Sequence, residues 1–381
     1  MITTINNKHK KLNVPNLRFP EFKGEWHLCK ISNILRIGNG RDYKHLAKGN
    51  IPVFGTGGYM TSVNDYLYDG ETTFIGRKGT INKPYYYKGK FWTVDTLFYT
   101  HSFDGIMPHF VYCLFQTINW LKYNEASGVP SLSKDTIEKI KVHIPQIKEQ
   151  QKISRLILLL DERIATQNKI IEDLKMLKSA IIENVFDDKH SERLQLDNFG
   201  SYIRGLTYSS NNVVDHGGTL VMRSNNIVNG SLLDYNNNVV FVNKQMSAEQ
   251  QLQNGDIVIC MANGSSSLVG KSSFYDGNCH SPITVGTFCG IYRSKEPIVK
   301  WLFQTNKYRR YIWNSLQGGN GAIANLNGED ILNMSFSIPN APIKDTCVKM
   351  LTSVDSALEN NMSLCALYTL QKQHLLRQMF I

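Results

Sequence analysis

Side chains that suit recognition of nucleic acid are concentrated in loops rich in glycine, serine and asparagine. Arginine and lysine donate to guanine, asparagine and glutamine pair with adenine, and cations and hydroxyls contact phosphates. In the first half of the chain the candidates are Arg41, Lys44, Arg77, Lys78, Thr80, Lys83 and Ser131. In the second half they are Arg223, Ser224, Asn225, Asn226, Asn263, Ser265, Lys271 and Asn320. Each of these loops could instead be a solvated turn.

Two local patterns refine these candidates. The pair Arg77 and Lys78 stands between two glycines, whose missing Cβ atoms allow close approach to another backbone. Ser131 and Ser133 precede Asp135 and an apolar run, a pattern that favours capping of a helix N-terminus. The glycine-rich turns at 127–131 and 318–325 precede matching positions in the chain, so we expect them to make the same backbone contact.

Motifs that would carry catalysis are missing from the sequence. The glycine clusters at 38–40, 55–58 and 318–321 form neither GxGxxG nor GxxxxGK[ST], and no NPPY-like run for methyl transfer to an amino base occurs. There is no HExxH, and the seven cysteines form no CxxC pair. The sequence therefore predicts no catalytic residue, cofactor site or metal site, and reduced cysteines that pack as small apolar groups.

Bulk properties favour a folded chain that binds a polyanion. A length of 381 residues predicts at least two domains, and the net charge of +10 suits nucleic acid, although an inert basic surface is the alternative. The longest aliphatic stretch, at 156–160, is too short to cross a bilayer, and the N-terminus has no apolar signal core. We expect a cytoplasmic protein with no membrane contact.

The elements that would position these loops occur twice, at a constant offset of 194 residues. Residues 132–145 (LSKDTIEKIKVHIP) match 326–339 (LNGEDILNMSFSIP), and the register continues without a gap through Asp161/Asp355, Lys178/Lys372 and Phe186/Phe380. An ungapped match of this length indicates an internal repeat.

Each copy continues into a predicted long helix whose apolar positions step by alternating four and three residues, as in a coiled coil. The first seam is Ile153, Ile157, Leu160, Ile164, Gln167, Ile171, Leu174, Lys178, Ile181 and Val185. The second is Cys347, Leu351, Val354, Leu358, Asn361, Cys365, Tyr368, Lys372, Leu375 and Met379. One such stripe alone would fit an ordinary core-facing helix. Because there are two and no third long helix, we expect them to pair with each other, running antiparallel.

The predicted order is an N-terminal segment at 1–25, a globular domain at 26–145, a helix at 146–187, a second globular domain at 188–338 and a second helix at 339–381. Both globular segments combine short β-branched runs and turn signals with one helix, at 108–124 and 297–316. This pattern predicts mixed α/β domains.

The chain resembles the HsdS-type specificity subunits of type I restriction systems. The matching segments are IPVFGTGGY at 51–59, FIGRKGTIN at 74–82, PSLSKDTIEKIKVHIP with the following EQQKI at 130–153, and GDIVICMANGSSSLVGK at 255–271. The resemblance implies a mixed α/β (α+β) fold in which two target-recognition domains are joined by two long antiparallel coiled-coil helices, with a pseudo-two-fold internal repeat. One departure is that the EQQ-type helix start occurs only in the first copy.

The resemblance also implies a non-catalytic subunit that recognises a bipartite sequence in double-stranded DNA. Two methyltransferase (modification) subunits would dock on the helices, and restriction/translocase subunits would complete the assembly. Those partners would bind S-adenosylmethionine, ATP and magnesium, and this chain would bind no cofactor. Two other functions remain open: an autonomous DNA-modifying enzyme with an unrecognised active site, and a protein that tethers nucleic acid without partners.

Overall fold

The computed structural model describes residues 13–186, 192–316 and 324–381. The described residues form two compact units. Unit 1 comprises those up to Asn168 together with Met362–Ile381, and unit 2 those within Lys169–Asn361. This division differs from the sequence-based one, because each long helix contributes one segment to each unit.

Unit 1 is built on a six-stranded sheet of order β2-β7-β5-β6-β3-β4, and β1 pairs separately with β8. Its strands are β1 (His27–Lys30), β2 (Arg36–Asn39), β3 (Lys48–Gly55), β4 (Gly58–Val63), β5 (Tyr68–Gly76), β6 (Tyr85–Thr93), β7 (Leu97–His101) and β8 (Lys141–Ile144). Its short helices are α1 (Ile31–Ile34), α2 (Pro108–Thr117) and α3 (Lys134–Lys139). The long helix α4 (Ile147–Phe186) follows. The main core includes Trp26, Phe110 and Phe380, whose rings lie 5.3 to 6.2 Å apart.

Unit 2 contains two four-stranded sheets, of order β10-β18-β14-β16 and β11-β13-β12-β17, and the two-stranded pairs β15-β19 and β20-β9. Its strands are β9 (Glu192–Gln195), β10 (Gly200–Arg204), β11 (Val213–Val214), β12 (Thr219–Met222), β13 (Val240–Val242), β14 (Ile257–Cys260), β15 (Ala262–Asn263), β16 (Ser272–Phe274), β17 (Ile283–Val285), β18 (Cys289–Ser294), β19 (Ala324–Asn325) and β20 (Ser335–Ile338). Its helices are α5 (Val299–Leu302), α6 (Asn306–Leu316) and α7 (Gly328–Leu332), and the long helix α8 (Ala341–Met379) ends the fold. The prediction of a mixed α/β fold with two long helices is confirmed.

The helix predicted at 297–316 is interrupted. It consists of α5 and α6, and the break lies at Phe303–Thr305. The Thr305 hydroxyl donates to the Leu302 carbonyl at 2.8 Å and accepts from the Tyr308 N–H at 3.0 Å. Because a threonine that accepts from the third residue of a helix caps its N-terminus, Thr305 starts a second helix instead of continuing the first.

Both long helices bury the predicted seam. Every seam position of α4 and of α8 is buried or half-buried. Leu351 is fully buried, whereas Met176 and Leu367, outside the seam, are 64% and 61% exposed. The alternation of four and three residues therefore corresponds to one buried face on each helix.

In unit 1 an ion pair that is largely shielded from solvent joins the two helices. The Lys372 ammonium lies 2.5 Å from the Asp161 carboxylate, with side chains 12% and 28% exposed. Lys372 also lies 3.4 Å from the Tyr112 hydroxyl of α2, so a globular element contacts the same pair. Burial opposes the charge on Lys372, but Tyr112 and Asp161 outweigh it, and its pKa is raised.

Unit 2 contains the counterpart of this pair. Lys178 lies 2.7 Å from Asp355, and both side chains are 10% exposed. Adding 194 to the numbers of Asp161 and Lys178 gives Asp355 and Lys372. Helix α4 therefore supplies the aspartate in unit 1 and the lysine in unit 2, and α8 supplies the opposite charge in each. From the globular part of unit 2, Trp301 Nε1 donates to Asp355 at 3.1 Å.

The direction of the helices follows within unit 1 from a second contact. The Cys365 thiol lies 3.4 Å from the Asn168 amide oxygen, seven residues after Asp161 on α4 and seven before Lys372 on α8. Contacts that advance on one helix while retreating on the other define an antiparallel pair.

The two long helices start differently. In unit 1, Glu149 accepts from Arg18 and Trp26, and the Gln150 amide donates to the carbonyls of Gly105 and Pro145. In unit 2, Lys344 of α8 instead pairs with Glu296 at 2.8 Å. Residues Glu149 and Gln150 of the EQQ sequence in the first copy therefore bind the start of α4 to the preceding chain.

No helix in the described parts of the chain is long and apolar enough to span a membrane.

We expect the Asp161 and Lys372 charges to depend on each other. Asp161→Lys and Lys372→Asp, made singly, should each lower the free energy of unfolding by roughly 3 kcal/mol, because each leaves like charges in a semi-buried site. Combining them should recover more than half of that loss. Urea denaturation followed by circular dichroism measures both. The same exchange at the surface pair of Lys134 and Glu138 should stay within about 1 kcal/mol. Additive losses in the double variant would contradict a direct interaction.

Candidate nucleic-acid interface

In unit 1, five segments that contain predicted site residues or their neighbours are joined by backbone hydrogen bonds. They are 40–41, 54–58, 77–80, 93–96 and 130–132. The bonds, donor first, run from Arg41 to Thr93, Val94 to Phe54, Arg77 to Thr96, Gly79 to Pro130 and Leu132 to Arg77, with N···O distances of 2.8 to 3.0 Å. Residues far apart in sequence thus form one loop cluster.

The loop after β5 has a conformation that only glycine permits at its start. A Cβ at Gly76 would lie 2.1 Å from the Thr80 carbonyl oxygen, so the loop closes tightly on itself. Arg77, Lys78 and Thr80 are exposed on it, and Lys78 forms an isolated antiparallel bridge with Ser131. The structure therefore brings two predicted site residues together across 53 positions.

Other unit 1 candidates lie around this loop. Arg41 is exposed, and its carbonyl accepts from the Trp92 indole at 2.9 Å. Lys44 and Lys83 are exposed on separate loops. Helix capping falls to Ser133 rather than Ser131: the Ser133 hydroxyl accepts from the Thr136 N–H at 3.1 Å.

Unit 2 repeats four of these five backbone bonds with different side chains. Donor first, they run from Leu206 to Val285, Gly286 to Met222, Met261 to Phe288 and Leu326 to Met261, each at 2.8 Å. Each matches a bond of the unit 1 cluster, and Leu132 and Leu326 stand 194 residues apart. The pairing of β15 with β19 corresponds to the bridge between Lys78 and Ser131.

The unit 2 cluster encloses a cleft of about 580 Å³. Four predicted residues line it: Arg223, Ser224, Asn225 and Asn263. The Asn263 amide donates to the Ser224 hydroxyl at 3.2 Å and so connects two loops. Arg223 is exposed and donates one N–H to the Asn238 carbonyl at 3.2 Å.

Asn226 does not fit its predicted role. It is 1% exposed, its amide donates to the carbonyls of Asp234 and Asn237 at 3.0 and 2.8 Å, and its oxygen accepts from the Arg223 N–H at 2.9 Å. Because the side-chain amide is fully bonded inside the protein, Asn226 holds the loop in shape and leaves no group for a base. The exposed Asn225 beside it keeps the predicted chemistry.

The remaining unit 2 candidates lie beside the cleft. The Ser265 hydroxyl is 2.8 Å from that of Ser267 on the loop after Asn263, and half-buried Lys271 lies at the end of that loop, outside the cleft lining. Asn320 falls outside the described residues.

Several lining residues were not predicted from the sequence. Tyr208, Thr287 and Phe288 border the cleft, and Phe288 is 63% exposed. By the same backbone bonds, Tyr208 corresponds to Tyr43, which lies two residues after Arg41. Thr287 and Phe288 correspond to the turn at 93–96.

The cleft offers donors and apolar contacts. None of the described residues that line it is acidic. Cys289 lies in its wall, but burial raises the pKa of the thiol, which therefore stays protonated at neutral pH. Among the described residues no group of three or more His, Cys, Asp or Glu side chains could hold a metal ion. An arginine, an exposed asparagine, hydroxyls and two aromatic rings in one cleft match the groups that recognise base edges and thymine methyls.

Residues 23–176 match the model of the family described as type I restriction modification DNA specificity domain. That part of the chain, which includes the unit 1 loop cluster, is similar to this family, in agreement with the resemblance seen in the sequence.

Two curated proteins are similar to the chain over part of its length. The specificity subunit of the type I restriction enzyme EcoKI of Escherichia coli is 34% identical over 151 residues, covering 37% of this chain and 30% of that protein. The StySPI specificity subunit of Salmonella potsdam is 34% identical over 149 residues, again 37% and 30%. The similar stretch thus spans less than a third of each relative.

The fold as a whole matches that of a solved S subunit. The crystal structure of the type I restriction-modification system S subunit from M. genitalium has a TM-score of 0.69 and 14% identity, and covers 97% of this chain and 99% of that one. The likeness extends the family fold to unit 2.

The neighbouring asparagines provide a matched test of the loop assignment. Asn226→Asp should lower the free energy of unfolding by about 1 to 3 kcal/mol, since a carboxylate would face two carbonyls that now accept hydrogen bonds. Asn225→Asp should change it by less than about 0.5 kcal/mol, because Asn225 is exposed. Chemical denaturation of both variants measures the difference. Equal stabilities would mean that Asn226 does not organise the loop.

Proposed function

We propose that this chain is the non-catalytic DNA specificity subunit of a type I restriction-modification system. The observation that carries the proposal is the duplicated loop cluster, in which one set of backbone bonds presents different side chains in each unit. A protein that recognises two unlike half-sites needs such an arrangement. Each unit would contact one half of a bipartite sequence in double-stranded DNA.

The chemistry of the two clusters supports separate specificities. Unit 1 presents adjacent cations, Arg77 and Lys78, which suit guanine or phosphate. Unit 2 presents Arg223 and Asn225 with the exposed ring of Phe288, a set that suits guanine, adenine and a thymine methyl.

The partners follow from the resemblance to the family and are part of the proposal. Two methyltransferase (modification) subunits would dock on the long helices and bind S-adenosylmethionine. Restriction/translocase subunits would supply the ATP and magnesium sites, in the cytoplasm. This chain would choose the sequence and leave the chemistry to them.

The first test is methylation by the assembled complex. The chain together with its methyltransferase subunit should methylate one bipartite sequence, mapped by single-molecule sequencing of modified adenines, and the chain alone should transfer no methyl group. Methyl transfer or cleavage by the isolated chain would overturn the proposal in favour of an autonomous enzyme.

The same assay assigns the half-sites. The variants Arg77→Ala and Lys78→Ala should change or weaken recognition of only one half-site, and Arg223→Ala only the other. Loss of a bidentate base contact should cost on the order of 1 to 3 kcal/mol and relax one position. If a single variant altered both halves, or none altered either, the assignment of one unit to each half would be wrong.

We further propose that the helix pair sets the spacing between half-sites. Seven residues of matched heptad sequence inserted after both Asn168 and Asn361 would lengthen each helix by about 10 Å and keep the seam in phase. At roughly 3.4 Å per base pair, the unspecified spacer should grow by about three pairs while both half-sites stay unchanged. Insertion into one helix alone is the control, because it displaces one ion pair and should destabilise the protein. An unchanged spacer in an active doubly extended complex would reject this role.

A further inference from the structure

Unit 2 has a second groove, formed between helix α6 and the loop that ends at Lys271. Its floor contains Val269, Gly270 and Ile312, and its rim contains Lys271, Arg309 and Trp313. None of the described lining residues is acidic.

The groove is built from two elements held firmly together. The Tyr308 hydroxyl, from a side chain only 2% exposed, donates to the Gly270 carbonyl at 2.8 Å. Gly270 has φ +80°, and a Cβ there would lie 2.7 Å from the Ile312 side chain. Because only glycine allows this close approach, loop and helix form one rigid surface.

Helix α6 presents charge and an aromatic ring to solvent. It contains Lys307, Arg309 and Arg310 and no acidic residue, and both arginines are exposed. Trp313, one turn after Arg309, is 64% exposed, whereas the other four tryptophans of the chain are between 0% and 6% exposed. An exposed indole between cations is unusual for a solvated face and fits a surface that nucleic acid covers.

The groove and the cleft described above lie on two sides of one loop. Asn263 and Gly264 line the cleft, and Ser266 and Ser267 of the same loop line the groove. One loop is therefore the shared wall of both. If the bases of a duplex contacted the cleft, its sugar-phosphate backbone would lie over the groove on the other side of this loop.

We infer that the groove between α6 and the 264–271 loop, with Arg309, Arg310 and Trp313, binds the sugar-phosphate backbone of DNA next to the half-site of unit 2. This rests on the proposed function, but it assigns a different role: the cleft selects bases, and the groove binds any sequence. In unit 1, α2 (PHFVYCLFQT) matches α5, and the short turn after it, at 120–123, contains one lysine and no arginine.

The first experiment measures how DNA affinity of the methyltransferase complex depends on salt. Arg309→Ala combined with Arg310→Ala should reduce the slope of log K against log salt by about 1.8, since each phosphate contact contributes about 0.9. Target and non-target duplexes should lose affinity by the same factor, and the methylated sequence should not change. Lys295→Ala is the matched control, because this exposed cation follows Ser294, at the far end of β18 from the cleft. An unchanged slope in the double variant would overturn the inference.

The second experiment follows Trp313 directly. Hydroxyl-radical footprinting of the complex, analysed by mass spectrometry, should show Trp313 oxidised without DNA and protected when a duplex is added, with the four buried tryptophans as internal references. Protection by the methyltransferase subunit before DNA is added would assign the groove to that subunit instead and overturn the inference.

These experiments distinguish failure of the groove as a DNA contact from failure of the specificity function. If Arg223→Ala alters the methylated sequence while the α6 variant and the footprint show no effect, the groove is not a DNA contact and the specificity function stands. If the wild-type complex methylates no defined sequence, the specificity function itself fails.

Discussion

The structure depends on one interaction made twice, the ion pair between the two long helices. Asp161 with Lys372 in unit 1 and Asp355 with Lys178 in unit 2 are the same pair with the helices exchanged. Removing two charges from water costs several kcal/mol, and hydrophobic residues of similar size would often be at least as stable. Such a pair is better explained by its effect on specificity: if one helix shifted by one seam position, Asp161 or Asp355 would face an uncharged side chain. The charges thereby fix direction and register, which an apolar seam alone leaves open.

The same ion pairs hold the globular parts against the helices. Tyr112 of α2 contacts Lys372, and Trp301 of α5 donates to Asp355, so an aromatic residue at matching places in the two units completes each pair. The third partner supplies part of the hydrogen bonding that the ions lose on burial. A change at one of these positions would therefore affect helix pairing and domain placement together.

The sequence predicted the elements whose signal is periodic or repeated, and it failed where the signal is spatial. The long helices, their seams and the repeat follow from spacing along the chain. The loop cluster does not, because the segments at 54–58, 77–80 and 93–96 are joined by backbone bonds between residues that are distant in sequence. Asn226 shows the limit for single residues: its type suits base recognition as well as its neighbour Asn225 does, and only burial separates the two. The break between α5 and α6 was missed because the cap depends on hydrogen bonds of the Thr305 hydroxyl, which residue spacing does not reveal.

Comparison of the two copies separates three kinds of constraint. The ion pairs keep the same lysine and aspartate in both units, and Asp355 pairs in addition with Lys300 at 3.2 Å. The loop clusters share a backbone but have divergent side chains, as expected if each contacts a different ligand. The starts of the two long helices are both bound to neighbouring chain, but through different residues, and chain connectivity gives the reason. Glu149 of α4 bonds to Arg18 and Trp26, which precede β1, whereas the chain that precedes β9 comes from the end of α4 itself. In the described part of unit 2, the Lys344 and Glu296 pair ties α8 to the loop after β18 instead.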